Sequence, residues 1–137
     1  MESKKGYWAL LLIFLFLLTL LGCKDGGIFS RKSTVHGQVT EIGGSGLDSI
    51  AVIFLASRLS SEKGLLRVYT DKNGNYSGIV DVPRRYGTLS VFVAENGNPK
   101  YSDVYRGFDI YINGKRTNDC CPANIGGKTQ IDFKVFK

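Results

Sequence analysis

The sequence of 137 residues has little of what histidine-based catalysis and metal binding require. It contains one histidine, His36, together with one tryptophan and one methionine. A single imidazole excludes a metal site built from several histidines and leaves one candidate for histidine-dependent proton transfer. Three prolines exclude a proline-rich linker, and no stretch repeats its apolar residues at helical spacing. The 17 glycines, by contrast, indicate many turns between short strands.

A continuous run of one charge sign is also missing. The formal net charge is +6, but the basic residues occur as isolated pairs such as Arg31-Lys32, Arg84-Arg85 and Lys115-Arg116. Pairs of this kind are typical of solvated turns and strand ends, and they favour that interpretation over a patch for an anionic ligand.

The longest apolar run lies near the amino terminus, from Ala9 to Leu21, and it follows Lys4 and Lys5. A positive segment followed by about 13 apolar residues is typical of a secretory signal. A membrane-spanning helix needs roughly 20 such residues. The run therefore favours a cleaved signal over the alternative, an uncleaved membrane anchor.

The run ends in Leu20-Leu21-Gly22-Cys23, which resembles the lipobox of bacterial lipoproteins. The resemblance implies that Cys23 receives a thioether-linked diacylglycerol and that a peptidase then cuts between Gly22 and Cys23. Cys23 would also be N-acylated, for example with palmitate, and no other cofactor is expected. Since each buried methylene contributes about 0.8 kcal/mol, two or three acyl chains give a stable membrane anchor.

The residues after Cys23 bear on localisation. Lys24 followed by Asp25 resembles a surface-export signal of some Gram-negative lipoproteins, although Gly26 stands where a second acidic residue is usual. We expect a lipid-anchored protein of the cell envelope, in the outer membrane, with surface exposure an option and the leaflet open. Nucleic acid is not an expected partner of an exported chain. The expected organisation is a signal peptide over 1–22, a tether over 23–33 and a domain over 34–137.

From Thr34 onward the chain alternates apolar and polar residues with a period of two. Turn clusters such as Gly43-Gly44-Ser45-Gly46 and Asn113-Gly114 separate the alternating segments. Strands are predicted over 34–40, 50–56, 65–70, 75–82, 88–95, 104–112 and 129–136. Seven strands at spacings of about 8–12 residues predict an all-β, Greek-key β-sandwich.

Several motifs resemble those of the carboxypeptidase regulatory-like domain. They are Val35-His36-Gly37-Gln38-Val39, then Gly46-Leu47 before an apolar strand, then Tyr69-Thr70-Asp71 with Asn73-Gly74 and Tyr76. The resemblance covers about Val35 to Val93 and implies a seven-stranded sandwich of prealbumin (transthyretin-like) type. It also implies an accessory or assembly module of an exported protein, without catalytic residues of its own.

The segment from Asp71 to Tyr76 predicts a hairpin turn. The Asp71 carboxylate would cap the turn, Gly74 would adopt a positive φ and Tyr76 would return to the core. Asp71, Asn73 and Asn75 also alternate like the start of a calcium loop. The bidentate glutamate and the remaining spacing of such a loop are missing, which favours a plain turn and no metal site.

Cys120 and Cys121 are the cysteines left once Cys23 is lipidated. In an oxidising compartment they can form a vicinal disulfide that makes one loop rigid. A reduced pair and pairing with other chains stay open, and we favour the structural disulfide.

No catalytic residues are predicted. The sequence identifies neither a nucleophile nor a carboxylate as a partner of His36. Tyr105-Arg106-Gly107 is similar to part of the carboxyl terminus of transthyretin-like 5-hydroxyisourate hydrolases, but Phe108 follows it and the chain continues to Lys137. We therefore expect a non-enzymatic protein.

The predicted function is binding of an envelope protein or a glycan by a lipid-anchored β-sandwich. The contact would involve two predicted loops, Ser57–Gly64 and Tyr101–Lys128, because loops carry function on such scaffolds. Four aromatic residues are candidates for a surface patch, although core packing accounts equally well for at least half of them: Tyr101, Tyr105, Phe108 and Tyr111. The alternative is a structural or assembly factor that packs into an envelope complex through a sheet edge.

The intact mass of the chain extracted from membranes tests the lipobox interpretation. We expect a polypeptide that starts at Cys23 and carries acyl chains, with Cys120 and Cys121 resistant to alkylation until a reductant is added. A mass that starts at Met1 and carries no lipid would contradict the signal and make the segment 9–21 a membrane anchor.

Overall fold

A computed structural model describes residues 30–94 and 98–137, and for residues 99 and 100 it describes the backbone alone. The predicted signal peptide, its cleavage site at Gly22 and Cys23, and most of the tether lie outside these residues. In the described ranges the chain is all-β, and its strands form two sheets that pack together. No helix in these ranges has the length and apolar character needed to cross a bilayer.

Nine strands and one helical turn follow one another in the described residues. The strands are β1 (Lys32–Glu41), β2 (Ala51–Arg58), β3 (Ser61–Tyr69), β4 (Asn75–Asp81), β5 (Thr88–Val93), β6 (Gly107–Ile112), β7 (Lys115–Thr117), β8 (Pro122–Ala123) and β9 (Lys128–Phe136). The helical turn α1, Pro99–Ser102, lies between β5 and β6. Each of the seven predicted segments overlaps a strand, and the short strands β7 and β8 were not predicted.

The strands are arranged in one sheet of five and one of four. The first sheet has the order β4-β1-β9-β6-β7, and the second has the order β3-β2-β5-β8. β1 and β9 run parallel, whereas every other pair of neighbouring strands runs antiparallel. The first and last strands of the domain are therefore direct neighbours inside the first sheet.

The core lies between the two sheets and is built from alternate positions of their strands. Val35 of β1 and Val91 of β5 are completely buried. The ring of Phe133 meets that of Phe108 edge-on, with 5.5 Å between centroids, and lies 6.3 Å from that of Tyr76. The intervening positions of β4 and β9 are mostly exposed and polar. The first sheet therefore turns one face to the core and the other to solvent.

The predicted polar loop Ser57–Gly64 is wrong, because this segment is the tip of the β2–β3 hairpin. β2 continues to Arg58 and β3 begins at Ser61. The side chains of residues 61–64 are all exposed, so the two strands pair through their backbones without a core beneath them. No alternation of apolar residues marks this stretch as a strand. The second predicted loop, Tyr101–Lys128, likewise contains paired strands, β6 to β8.

The segment Asp71–Tyr76 forms a turn, but the predicted hairpin is wrong. The Asp71 N–H donates to the Asn75 carbonyl oxygen at 2.9 Å, and Gly74 has a φ of +78°. β3 and β4, however, belong to different sheets. The turn is therefore an arch that carries the chain from one sheet to the other. An Asn-Gly hairpin occurs instead at Asn113-Gly114, between β6 and β7.

The parallel pairing of β1 and β9 is interrupted at Gly37 and Gln38. A Cβ atom at Gly37 would lie 1.7 Å from the Ile131 carbonyl oxygen, so only glycine fits this approach. Side chains supply the bonds in the gap. The Tyr76 hydroxyl donates to the Ile131 carbonyl oxygen at 2.6 Å, and the Gln38 N–H donates to Asp132 Oδ1 at 2.9 Å. These bonds join β4, β1 and β9.

Replacing Gly37 with Ala should destabilise the domain by about 3 kcal/mol or more, because the added methyl group forces β1 and β9 apart. Chemical denaturation followed by circular dichroism measures this change. Gly64→Ala is the matched control, since a Cβ atom there meets nothing within 4 Å. A Gly37→Ala protein as stable as the Gly64→Ala control would contradict the close approach.

Candidate functional site

The outer face of the first sheet carries an open polar depression of about 450 Å³, called the trough below. Its lining comes from β1, β9 and the start of β4: His36, Gly37, Gln38, Asn75, Tyr76, Gln130 and Asp132. Small-molecule sites in proteins typically have volumes of roughly 300–1,000 Å³. Size and exposure make the trough the candidate ligand site of the described residues.

Strand register brings the lining side chains together. His36 lies opposite Gln130 of β9, and Gln38 lies opposite Asn75 of β4. Directly opposed residues of neighbouring strands have Cβ atoms about 5 Å apart. Since side chains alternate between the faces of a strand, residues two positions apart, such as Gln130 and Asp132, share one face. Three adjacent strands thus present a compact polar group.

Asp132 is the one carboxylate among the lining residues, and both of its oxygens accept hydrogen bonds. Oδ1 accepts the Gln38 backbone N–H at 2.9 Å, and Oδ2 accepts a side-chain N–H of Gln130 at 2.8 Å. Hydrogen bonds to a carboxylate are stronger than those between neutral groups. Asp132 therefore fixes the Gln130 amide in place and has its own charge partly compensated.

In each of three side-chain amides of the trough, one N–H donates a hydrogen bond to an oxygen atom of the protein. Gln130 is held by the bond just described, Gln38 Nε2 donates to the Asn73 carbonyl oxygen at 3.4 Å, and Asn75 Nδ2 donates to Asp71 Oδ2 at 3.3 Å. A planar amide has a second N–H and an acceptor oxygen. Each of the three amides therefore keeps donor and acceptor capacity, and the short bond to Asp132 orients the Gln130 amide most firmly.

Tyr76 lines the trough from below, with 5% of its surface exposed. Its hydroxyl donates to the Ile131 carbonyl oxygen. Burial, and to a smaller extent the Asp132 carboxylate, raise the pKa of the Tyr76 hydroxyl far above its ordinary value of 10. The hydroxyl therefore stays protonated, and acts as a donor, at every pH at which a cell operates.

His36, the lone histidine of the sequence, lies in the trough. Its Nδ1 atom is buried and has no hydrogen-bond partner in the described part of the chain. Within the same residues, no hydrogen bond joins His36 to Asp132 or to Ser77, its neighbour on β4. A catalytic triad depends on a base that bonds both its nucleophile and its orienting acid. The trough offers hydrogen-bonding groups for a ligand rather than that linked arrangement.

The predicted turn residues lie beside the trough and position two of its members. Asp71 Oδ1 accepts the backbone N–H groups of Asn73 and Asn75, each at 2.9 Å. These bonds, above all the one from Asn75, lower the pKa of the Asp71 carboxyl. Gly74 completes the turn, after which Asn75 and Tyr76 enter the trough. Nowhere in residues 30–94 and 98–137 do three or more His, Cys, Asp or Glu side chains form a group able to hold a metal ion.

Cys120 and Cys121 are joined by a disulfide bond between adjacent residues. Cys120 is exposed, whereas Cys121 is fully buried and accepts the Val91 N–H at its carbonyl oxygen, at 3.0 Å. The pair immediately precedes β8, at the edge of the second sheet. The disulfide and the trough thus belong to different sheets and do not form one site.

The four aromatic candidates do not form one surface patch. Tyr101 is 2% exposed, and Phe108 packs against the core. Tyr105 lines a separate cleft of about 210 Å³ at the carboxyl end of β9. Tyr111 lies on the same outer face as the trough, with the Lys134 ammonium group 4.6 Å from the centre of its ring. Core packing accounts for the first two, and the other two lie apart.

Sequence reasoning missed Gln38, Gln130 and Asp132 as site residues. The signal that the sequence contains is the alternation that places His36 with Gln38, and Gln130 with Asp132, on the outer face of a strand. That alternation does not predict that β1 pairs with β9, because Gln38 and Asp132 are 94 residues apart in the chain. The pairing of the strands is what makes these residues one site.

Comparisons with known proteins assign no family. No family model matches the chain, and no protein of curated function matches it in sequence. Among solved structures, a 9R-lipoxygenase from Cyanothece PCC8801 is similar, with a TM-score of 0.37 and 15% identity. The match covers 90% of this chain but 16% of the lipoxygenase. At this similarity the lipoxygenase supports no conclusion about fold or activity.

Replacing Tyr76 with Phe removes a hydroxyl and leaves the buried Ile131 carbonyl oxygen without that donor. The free energy of unfolding should fall by about 1–2 kcal/mol. Tyr69→Phe is the matched control, because Tyr69 is 61% exposed, and it should change stability by less than about 0.5 kcal/mol. Equal stability of the two variants would contradict the role of the hydroxyl.

The stability of the protein at alkaline pH tests the role of the Tyr76 hydroxyl independently. The pKa of Tyr76 is raised in the folded protein, so its contribution to stability is complete below about pH 10 and is lost as the pH rises through the raised pKa. Above pH 10 unfolding releases a proton, and stability should therefore fall with pH. The fall, measured by denaturation at several pH values, should be shallower in Tyr76→Phe than in the natural protein. Parallel curves would contradict this assignment.

Proposed function

We propose that the chain is a lipid-anchored, non-enzymatic lipoprotein of the bacterial cell envelope, whose β-sandwich binds a protein or a glycan at the trough. The observation that carries this proposal is the set of three side-chain amides that share a solvent-facing surface with the Asp132 carboxylate, each bonded once to the protein. Donors and acceptors whose rotation is restricted lose less entropy when a ligand binds. Both Asp132 oxygens accept bonds within the protein, which suits orientation of neighbours better than proton transfer.

The anchor follows from the resemblance of Leu20-Leu21-Gly22-Cys23 to a lipobox. Lipid on Cys23 would attach the chain to a membrane, and we propose the outer membrane. Seven residues separate Cys23 from Arg31, so this link reaches at most roughly 28 Å. Arg31 donates to the carbonyl oxygens of Val82 and Tyr86, which ties the start of the domain to the sandwich. The sandwich would therefore stay close to its membrane.

Strand topology supports a Greek-key arrangement of prealbumin type. After β1 the chain forms the β2–β3 hairpin in the second sheet and then returns with β4 beside β1. In a Greek key the fourth strand likewise lies beside the first, and in this chain the short arch after β3 brings β4 there. The motif residues also have clear structural roles, since Gly37 permits the approach of β9 while Asp71 and Gly74 build the arch. These roles support the resemblance to carboxypeptidase regulatory-like domains.

Three of the four sheet edges are poorly suited to assembly by strand addition. β3 has nine residues but contains a bulge at Leu65 and exposes Glu62 and Lys63. β7 has three residues, and β8 has two and begins with Pro122. Bulges, charges, short strands and proline all protect sheet edges from further pairing. These three edges disfavour edge-to-edge assembly and leave β4, a regular strand of seven residues beside the trough, as the edge that the alternative would use.

Site-specific photo-crosslinking in living cells tests the proposed function. A photoreactive residue in place of Ser77, which is exposed beside His36, should give an adduct with an envelope component. The same residue in place of Glu62, exposed near the tip of the β2–β3 hairpin, is the control and should give none. Cys23→Ser should reduce the adduct, because without lipid on residue 23 the chain is neither processed nor anchored at its proposed membrane. Sensitivity of the adduct to proteases or to glycosidases identifies the class of partner.

Two results would contradict the proposal. One is an equal yield of adducts from positions 77 and 62, which would mean that the trough is no preferred contact. The other is an unchanged adduct and unchanged membrane fractionation in Cys23→Ser, which would mean that lipid on Cys23 does not place the protein.

A further inference from the structure

Resting on the function proposed above, we propose that the ligand of the trough is a neutral, hydroxyl-rich glycan. Three properties of the lining carry this narrower assignment. They are its charge, its pattern of donors and acceptors, and its lack of an apolar recess.

The charge of the lining selects against ionic ligands. Asp132 is the one carboxylate that lines the trough, and its two oxygens are occupied by Gln38 and Gln130. Neither Lys nor Arg is among the lining residues. The nearby ammonium group of Lys134 lies over the ring of Tyr111. An anion would lose its hydration without gaining a cation, and a metal ion or ammonium ligand would meet a carboxylate that is already bonded.

The donors and acceptors of the lining match a polyol. Each amide of Gln38, Asn75 and Gln130 combines an acceptor oxygen with a second N–H, and one bond to the protein restricts its rotation. A sugar hydroxyl is both donor and acceptor, so one amide can bond two neighbouring hydroxyls, donating to one and accepting from the other. Three such amides on adjacent strands present this pattern repeatedly over a small area.

The shape and composition of the trough disfavour a protein ligand. Protein partners are usually held by aromatic or aliphatic anchors that fill apolar pockets. The lining contains no aliphatic side chain, and the ring of Tyr76 is buried with its hydroxyl bonded to the Ile131 carbonyl oxygen. A polar ligand can lie in such a depression, whereas an apolar side chain of a protein finds no apolar pocket to fill.

The residues around the trough indicate in which direction a longer glycan would extend. The trough spans β4, β1 and β9, a width of roughly 10 Å across the strands, which suits one or two sugar rings. On the β6 side, Tyr111 and Lys134 occupy the outer face. On the opposite side, β4 is the edge of the sheet and Ser77 is small and exposed. A longer glycan would therefore continue over the β4 edge.

Isothermal titration calorimetry of the full-length chain tests the assignment. The chain is held in micelles of a detergent without a sugar headgroup, such as lauryldimethylamine oxide. The probes are maltotetraose, tetra-N-acetylchitotetraose, mannotetraose and galactotetraose, with tetragalacturonate as the anionic counterpart. We expect saturable binding of at least one neutral probe, with an affinity that stays constant between about 50 and 500 mM NaCl because no charge pair is involved.

Matched variants connect binding to the trough. Gln38→Ala and Gln130→Ala should each weaken binding roughly five- to tenfold, the effect of losing one or two neutral hydrogen bonds. Lys128→Ala, exposed on the same strand as Gln130 but outside the trough, should leave the affinity unchanged. Unchanged circular dichroism melting curves of the three variants keep the comparison independent of folding.

Three results would overturn the glycan assignment: no binding of any neutral probe, salt-dependent preference for tetragalacturonate, or equal weakening by Lys128→Ala and Gln130→Ala. Different results would contradict the broader proposal of a lipid-anchored protein that binds its partner at the trough. A protease-sensitive adduct at position 77 without sugar binding would retain the trough and exclude the glycan. Sugar binding, together with an intact mass that shows no lipid on Cys23 of the protein extracted from membranes, would retain the glycan and exclude the anchor.

Discussion

The close approach of β1 and β9 at Gly37 is the constraint on which the sandwich depends. It brings the first and last strands of the domain together where a Cβ atom would collide with the Ile131 carbonyl oxygen. The Tyr76 hydroxyl and the Asp132 carboxylate then supply the hydrogen bonds of the interrupted ladder. Asp132 also orients Gln130 in the trough, so one group of contacts joins three strands and shapes the proposed binding surface.

Alternation of apolar and polar residues predicts strands in this chain where one face is buried, and fails where both faces are exposed. The sequence of β1 alternates regularly because its core-facing residues Val35 and Val39 are completely buried. Residues 61–64 show no such alternation because all four are exposed. Turn chemistry predicts that the chain turns but not which sheet the next strand joins. Asn113-Gly114 makes a hairpin, whereas Asp71–Gly74 makes an arch between sheets.

Most of the candidate site could not be predicted from the sequence, because it depends on the pairing of two strands that are distant in the chain and on the lack of a Cβ atom at Gly37. Gln38 and Asp132 are 94 residues apart and meet only because β1 and β9 run side by side. His36 is the lone histidine of the sequence, but its neighbours in the chain do not indicate that polar side chains of two other strands lie beside it. The predicted lipid anchor is the opposite case, since it follows entirely from the adjacent residues Leu20 to Cys23.

Hydrogen–deuterium exchange of the full-length chain, with and without isolated cell-envelope polysaccharide, tests most directly that the trough is the binding surface. Slowed exchange is expected in 36–38, 75–77 and 130–132, the segments that line the trough, while the tip of the β2–β3 hairpin and the cysteine pair exchange as before. Protection at the hairpin tip or along β3, with the trough segments unchanged, would contradict the account.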